Sequence, residues 1–567
     1  MLFRGKGLTV DSKASSQLYP KVSKEHFPSY LQLTLSPVAI DNLALLQPYI
    51  PEKWHMNLEG GKGVLEGRIE AKQQGLNATL DLHSKDSRIA FDKQRLRADL
   101  DLSAKIKIPL APSLHADLTG TRIALSNIRL FDKNSSSQSV SKPWNASMAV
   151  KEGMVILPLP KKGSADSLRA LLKQYKVKEI LSKADGELKM TGDISQLAWL
   201  NRFLRHSLDA SLSGSGTLDA DVVIREGKFS QNSRARIDSK NLEVGLLDYQ
   251  FKGEGGVVIE RREGTENPVT YALEYKDALM KHKSEKEAMI DDVVMRLDRT
   301  GGGSDFHGSR WDKPLHLQIT SAHVINVSLY NQYFPENSPI RFLEGSADLN
   351  ADIVLKPHNA QGSIYLTTKA MKMKVDDQTI AARLRVDTKI AGGEPRAMHF
   401  DITGSSIVLD QASVAGKTVD YSQDGWRADI NLTKADIVWK KPIQLRSEVL
   451  LAIKDSRPIV AMIDNQKSKF AFLSKLLIVE NLQGEAKINM EKHTIMVPYA
   501  FVKSDQINIG AKGIIEPLRR DGIFFFGQKG IKGTMEIKGG KRSFDIFTAQ
   551  KRFDNYVIPA PTAVDQP

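Results

Sequence analysis

The chain has 567 residues, with 80 Lys+Arg against 67 Asp+Glu for a net charge of +13, 40 Gly, 23 Pro and no Cys. Hydrophobic residues at 41% and charged residues at 26% give a globular composition, well outside the disordered range. The absence of Cys excludes a disulfide scaffold, a Cys-ligated zinc or iron–sulfur site and a thiol nucleophile, and no run of ~18 apolar residues is present to form a membrane-spanning helix.

At ~150 residues per domain, length alone suggests roughly four domains. The first residues, MLFRGKGLTVDSKASS, hold no apolar core of the kind a secretion signal needs, and they read as a short strand, as though the chain began mid-structure. From there the dominant period is two. Leu76, Ala78, Leu80 and Leu82 alternate with other residues, and LRADLDLSAKIKI follows with Leu96, Ala98, Leu100, Leu102, Ala104, Ile106 and Ile108. Between these lie Arg97, Asp99, Asp101, Ser103, Lys105 and Lys107, so one face of the strand is greasy and the other charged.

The same alternation returns at Leu218/Ala220/Val222/Ile224, Leu315/Leu317/Ile319 and Ala347/Leu349/Ala351/Ile353/Leu355. It continues at Trp426/Ala428/Ile430/Leu432, Ala486/Ile488/Met490 and Met535/Ile537. Turn residues separate the runs at Glu152-Gly153, Glu226-Gly227, Ala391-Gly392-Gly393, Asp424-Gly425 and Gly539-Gly540. Helical patterning is confined to 166–178 and 193–204, while 132–143 and 298–314 read as loops and the residues from Pro559 onward as a frayed tail. Strands that follow one another with so little helix between them predict antiparallel meanders.

An internal repeat runs through this pattern. Residues 43–51, 197–204 and 327–335 align without gaps, and each is followed by a glycine-led strand beginning at Gly61, Gly214 or Gly345. Their aromatic anchors, Tyr49, Phe203 and Tyr333, give spacings of 154 and 130 residues, too long for propeller blades or leucine-rich repeats. The unit predicts a short amphipathic helix capping the sheet, then a strand re-entering it, with small residues allowing close approach.

VAIDNLALLQPYIP with LEGGKGVLEGRIEA, its echoes at 197–224 and 327–355, and the closing INIGAKGIIEPLRRDGIFFF and IKGTMEIKGGKRSFDIFTAQKRFD resemble the AsmA-like proteins, the TamB- and YhdP-type group of bacterial envelope proteins. The resemblance implies a mostly β fold: an elongated, twisted, mainly antiparallel sheet curled into an open apolar groove, with a few short capping helices. It also implies a Gram-negative periplasm or cell envelope, inner-membrane anchoring through a segment absent from this chain, and movement of phospholipid between inner and outer membranes. No catalytic residue comes with the family.

The residues are compatible with this. Too few helices are predicted to cover so many strands, so the apolar faces pack on one another as an ordinary sandwich core or face a ligand. Small lining residues such as Ala78, Ala98, Ala104, Ala220, Ala351 and Ala428 favour a groove for acyl chains, in which each buried methylene contributes ~0.8 kcal/mol. About 30 strands at ~4.8 Å each would make a trough on the order of 140 Å.

Other motifs do not hold. Ala415-Gly416-Lys417-Thr418 ends like a P-loop, but Gln411 stands where the first glycine is needed. Ser304, Asp305 and His307 are adjacent in a glycine-rich loop, which is no triad geometry. The twelve His include no H-x-x-x-H or H-E-x-x-H pair. Lysines and arginines from Lys512 to Arg552 make the C-terminal region basic, either to meet anionic headgroups or to keep sheet edges from pairing. No basic stripe with interleaved aromatics marks a nucleic-acid surface.

The expected function is therefore non-enzymatic, without cofactor or metal: binding or conducting phospholipid acyl chains, with the membranes and envelope proteins as partners and no nucleic acid. Expected lining residues are Leu96, Ala98, Leu100, Leu102, Ile106, Ile108, Leu218, Val222, Ile224, Leu349, Ile353, Leu355, Ile430 and Leu432. The blocks expected are 1–193, 194–323 and 324–440, with helices near 42–50, 194–204 and 327–334, then a C-terminal region 441–558 and a tail 559–567. The alternative is an assembly factor for outer-membrane proteins acting by β-strand addition. An outer-membrane barrel fits poorly, since aromatics are only 7% and no aromatic girdles recur.

Overall fold

Alternating sequence makes long strands here. The run from Leu96 to Ile108 lies in Gln94–Pro109, which pairs with Gly75–Phe91 from the Gly75/Pro109 rung to the Phe91/Gln94 rung. The structure is a computed structural model and describes residues 4–5, 8–13, 30–52, 56–72, 75–91, 94–109, 115–132, 142–157, 177–201, 210–261, 269–301, 314–336, 338–375, 378–415, 421–422, 426–456, 479–528 and 530–562. Among the described residues strands make up 74% and helices 7%, so the fold is mostly β, with antiparallel pairing and a few short helices.

The chain forms two compact units. The first comprises Met1–Gly245, Lys252–Glu274 and Asp298–Trp311, the second Leu246–Phe251, Tyr275–Leu297 and Asp312–Pro567. In the first, a ladder runs through Tyr30–Ile40, Met56–Lys72, Gly75–Phe91, Gln94–Pro109, Arg122–Asp132, Trp144–Ile156, Asp185–Ile194, Gly216–Arg225 and the start of Arg234–Leu246. In the second it runs through Leu315–Val324, Ile340–Lys356, Asn359–Val375, Gln378–Ile390, Ser406–Ala415, Arg427–Val438 and Gln444–Asp455. It continues through Glu480–Glu491, Thr494–Lys503, Ile507–Glu516, Arg519–Gln528, Ile531–Lys538 and Lys541–Asp545.

The core is a set of local clusters under short helices. Ile40, Leu65 and Leu82 pack with Leu43 of the 3-10 helix Leu43–Tyr49. Ile108 and Val155 pack with Ile180 of the α-helix Val177–Leu181. Ile523 and Phe525 pack with Ala549 and Phe553 of the α-helix Ala549–Asp554. Elsewhere Ile402, Leu432, Ala435, Val449 and Ala486 bury one another across the sheet.

The three repeat units share one construction. Leu43, Leu197 and Val327 are each buried at the head of a 3-10 turn, spanning Leu43–Tyr49, Ala198–Leu200 and Val327–Tyr333. The fifth residue of each then bonds the backbone N–H eleven residues later: Leu58 to Gln47 Oε1 at 2.7 Å, Leu212 to Asn201 Oδ1 at 2.5 Å and Phe342 to Asn331 Oδ1 at 2.8 Å. A glycine at positive φ follows each time, Gly61 at +119°, Gly214 at +123° and Gly345 at +134°. It does not lead the strand as the sequence pattern predicts: Gly61 and Gly345 lie inside Met56–Lys72 and Ile340–Lys356, and Gly214 lies between Ser211–Ser213 and Gly216–Arg225. A Cβ on Gly345 would lie 2.8 Å from the Met371 Cα, so the neighbouring backbone requires glycine there as well as the dihedral.

Several local expectations change. Glu152-Gly153 is not a turn but lies inside Trp144–Ile156, where a register shift against Asp185–Ile194 absorbs an extra residue. Asp298 begins no loop, because the alternation Val293, Met295, Leu297 carries Ile290–Gly301 through it; residues 302–313 lie outside the described residues. Of the helix expected over 166–178, only Val177 and Lys178 are described, within Val177–Leu181. Asp193 and Ile194 end a strand rather than start a helix, and 202–204 lie outside the described residues, as do 133–141, 416–420 and Asp424-Gly425. Pro559–Thr562, read as the start of a frayed tail, is held by Thr562, whose N–H and hydroxyl donate to Glu516 at 2.7 and 2.8 Å.

Candidate functional site

Cross-strand register decides which alternating side chains meet. In the first unit one row crosses nine strands through Val38, Leu65, Leu82, Leu102, Ile123, Met148, Gly192, Leu218 and Ile237, apolar or glycine at every step. Its ends are sealed, Val38 at 4% and Ile237 at 6% exposure, whereas Leu102, Ile123, Met148 and Leu218 between them are half-buried.

The second unit holds a longer row, across twelve strands: Ala322, Leu349, Leu366, Val386, Ile407, Ile430, Leu451, Gly484, Val502, Ile509, Phe526 and Gly533. At ~4.8 Å per strand it runs for roughly 50 Å along the sheet. Everything between Ala322 and Gly533 is half-buried, so solvent reaches most of the row. Beside it lies a row of eight: Leu432, Val449, Ala486, Ala500, Ala511, Phe524, Met535 and Phe544.

The opposite face is charged over most of these strands, and two concavities draw much of their lining from it. One, about 670 Å³, is lined in the first unit by His83, Asp101, Asp193, Asp238 and Arg122 together with the stretch of the row from Leu102 to Leu218. The other, about 1220 Å³, is walled in the second unit by Lys434, Glu448 and Lys487, which are register neighbours, with Arg446 and Arg519. Opposite charges answer one another there. Lys487 Nζ lies 3.1 Å from Glu448, Arg519 Nε 2.7 Å from Asp521, and His83 Nδ1 2.7 Å from Asp101. The hydrogen bond to Asp101 raises the His83 pKa above the ordinary imidazole value. Burial pushes the Asp410 carboxyl up, but the Arg383 and Arg385 guanidiniums outweigh it and hold it below the usual carboxylate range.

The expected lining residues sit as follows. Leu102 and Leu218 share the first unit's row, Leu349 and Ile430 share the row of twelve, and Leu432 belongs to the row of eight. Leu96, Leu100, Ile106 and Ile224 are half-buried off these rows, while Ala98, Ile108, Val222, Ile353, Leu355 and Leu432 are each at most 8% exposed. Leu366, Val386, Ile407, Leu451, Val502, Ile509 and Phe526 were not singled out by sequence; their signal was the same alternation, in shorter runs. The glycines could not be found that way: at Gly533 any side chain would collide with the Phe526 ring.

Asp291, Asp292 and His323 bring three possible ligand atoms within 4.8 Å of one another, a grouping that spans two strands and therefore leaves no spacing motif. His323 Nδ1 is already 3.0 Å from Asp291 Oδ1. Among the described residues no helix is long and apolar enough to cross a membrane. Compared with known proteins, the chain matches no protein-family model, no curated protein and no solved structure.

Proposed function

We propose that the chain is a non-enzymatic binder of phospholipid acyl chains, laid along the apolar rows of its sheet, in the envelope of a Gram-negative bacterium. The observation that carries this reading is the row of twelve from Ala322 to Gly533, apolar or glycine at each strand and half-buried over most of its length. Such a strip is too open for a finished core and too continuous to be scattered surface residues. An acyl chain supplies what the strip lacks, at ~0.8 kcal/mol per methylene buried, while its headgroup stays in water. The AsmA-like resemblance of the repeat and closing strands supports the same reading, including transfer between inner and outer membranes.

Strand addition to a client protein is the weaker reading. The closing strand Lys541–Asp545 presents Lys541 and Arg542, exposed charges of the kind that blunt an edge against pairing. Purification of the chain from a lipid-containing host followed by lipid mass spectrometry tests the proposal. Phospholipid retained through gel filtration is the expected result, and a lipid-free chain that also fails to take up phospholipid from vesicles overturns it.

A further inference from the structure

The row of eight opens toward one end. Leu432, Val449 and Ala486 are 6%, 5% and 4% exposed, whereas Phe524 is 41% and Phe544 48% exposed. Phe544 lies on Lys541–Asp545, which pairs with Ile531–Lys538. Just past it the chain presents Ile546 and Phe547, the latter 93% exposed, and the neighbouring strand begins with an exposed Ile531. These side chains are held out rather than left slack. Asp545 Oδ1 accepts from the Phe547 N–H at 2.8 Å and the Thr548 N–H at 3.1 Å, and the helix that follows is fastened by Ala549 and Phe553 against Ile523 and Phe525.

The stretch of chain that carries the patch is basic. Residues 530–558 carry six Lys or Arg against three Asp or Glu, 6 − 3 = +3. The three acids are each engaged locally, Glu536 by Arg552 at 2.6 Å, Asp545 in the turn and Asp554 by Gln550 at 3.1 Å, while Lys532, Lys541, Arg542 and Lys551 are exposed. Exposed aromatic and aliphatic side chains in a basic stretch of chain fit the boundary between acyl chains and anionic headgroups, where the rings enter and the cations remain at the phosphates. We infer that this C-terminal edge is a docking tip for an anionic lipid bilayer, with Phe544, Ile546 and Phe547 entering the membrane and Lys541, Arg542 and Lys551 meeting its headgroups.

The inference deepens the acyl-binding reading by naming where the row of eight meets its lipid source, yet docking does not depend on lipid bound along the rows. Because the chain has no Cys, Phe547→Cys creates a single labelling site for an environment-sensitive fluorophore. Phe229→Cys, at a site 65% exposed in the first unit, serves as the control. With phosphatidylcholine/phosphatidylglycerol vesicles the label at 547 should brighten several-fold and shift to the blue, with little change at 229 and a much weaker response to pure phosphatidylcholine. Lys541→Glu combined with Arg542→Glu should weaken vesicle binding at least about tenfold. An unchanged label at 547, an equal response at 229, or a response without lipid that grows with protein concentration overturns the proposal, the last pointing to self-association. A silent tip on a chain that retains phospholipid would sink docking alone, and a docking chain that takes up no lipid would sink the acyl-binding reading alone.

Discussion

Asn331 and Phe342, eleven residues apart, are joined by two hydrogen bonds: Phe342 N–H donates to Asn331 Oδ1 at 2.8 Å, and Asn331 Nδ2 donates to the Phe342 carbonyl at 2.6 Å. Gln47 repeats the arrangement, accepting from Leu58 N–H at 2.7 Å while its Nε2 reaches the Met56 carbonyl at 3.2 Å. One amide side chain thus fixes where the returning strand begins. Asn331→Ala should lower stability by about 1–3 kcal/mol, because two half-buried backbone groups lose their partner. Urea denaturation reads this directly, and an unchanged midpoint would mean the clamp follows the fold rather than setting it.

The glycines behind the clamp give a second prediction. Gly345 combines a φ of +134° with Met371 backbone where a Cβ would go, whereas Gly530 has a φ of +88° and open space. Gly345→Ala should therefore cost clearly more than Gly530→Ala, which carries only the dihedral strain of roughly 1 kcal/mol. Equal losses in a thermal melt would show that the close approach at Met371 relaxes.

Much of this was readable in advance, for a physical reason. Period-two alternation leaves one periodicity to choose, so Leu96 through Ile108 announce their strand and its faces. The repeat was visible too, but its meaning was not. Tyr49 and Tyr333 look like equivalent anchors, yet Tyr49 is 53% exposed and Tyr333 only 2%, because Tyr333 packs 5.0 Å from the Trp439 ring and under Lys441. Those partners are distant in sequence, and no local pattern reports them. The constant positions are instead the amide and the positive-φ glycine. Register was likewise hidden: bulges such as the one between Thr367 and Met371 decide which rows align, and a bulge has no reliable sequence mark.

The row of twelve predicts opposite outcomes for neighbouring residues. Leu366 is half-buried in the row, and Tyr365 points to the other face at 38% exposure. Leu366→Asp should cut retained phospholipid at least about fivefold, since an ionised carboxylate is costly among acyl chains, while Tyr365→Asp should leave retention near the wild-type level. Lipid mass spectrometry on the two purified variants, with circular dichroism to show that both fold, gives the comparison. Equal retention by the two would remove the row from lipid binding.

The last prediction concerns acid. Asp410 is 7% exposed and lies between two arginines: Arg383 Nε and Nη2 donate to its two oxygens at 2.6 and 3.1 Å, and Arg385 Nη2 donates at 2.9 Å. Burial alone would raise its pKa, but the guanidiniums prevail and the folded value lies below the unfolded one, near 3.9. A depressed carboxylate contributes stability that is fully present above the unfolded value and is lost as pH falls through the folded value. Asp410→Asn should therefore unfold at lower urea than the wild type at pH 7, with the difference shrinking as the pH drops below about 4. A gap between the two midpoints that stays constant from neutral to acid pH would show that the loss comes from packing at this site and not from the charge.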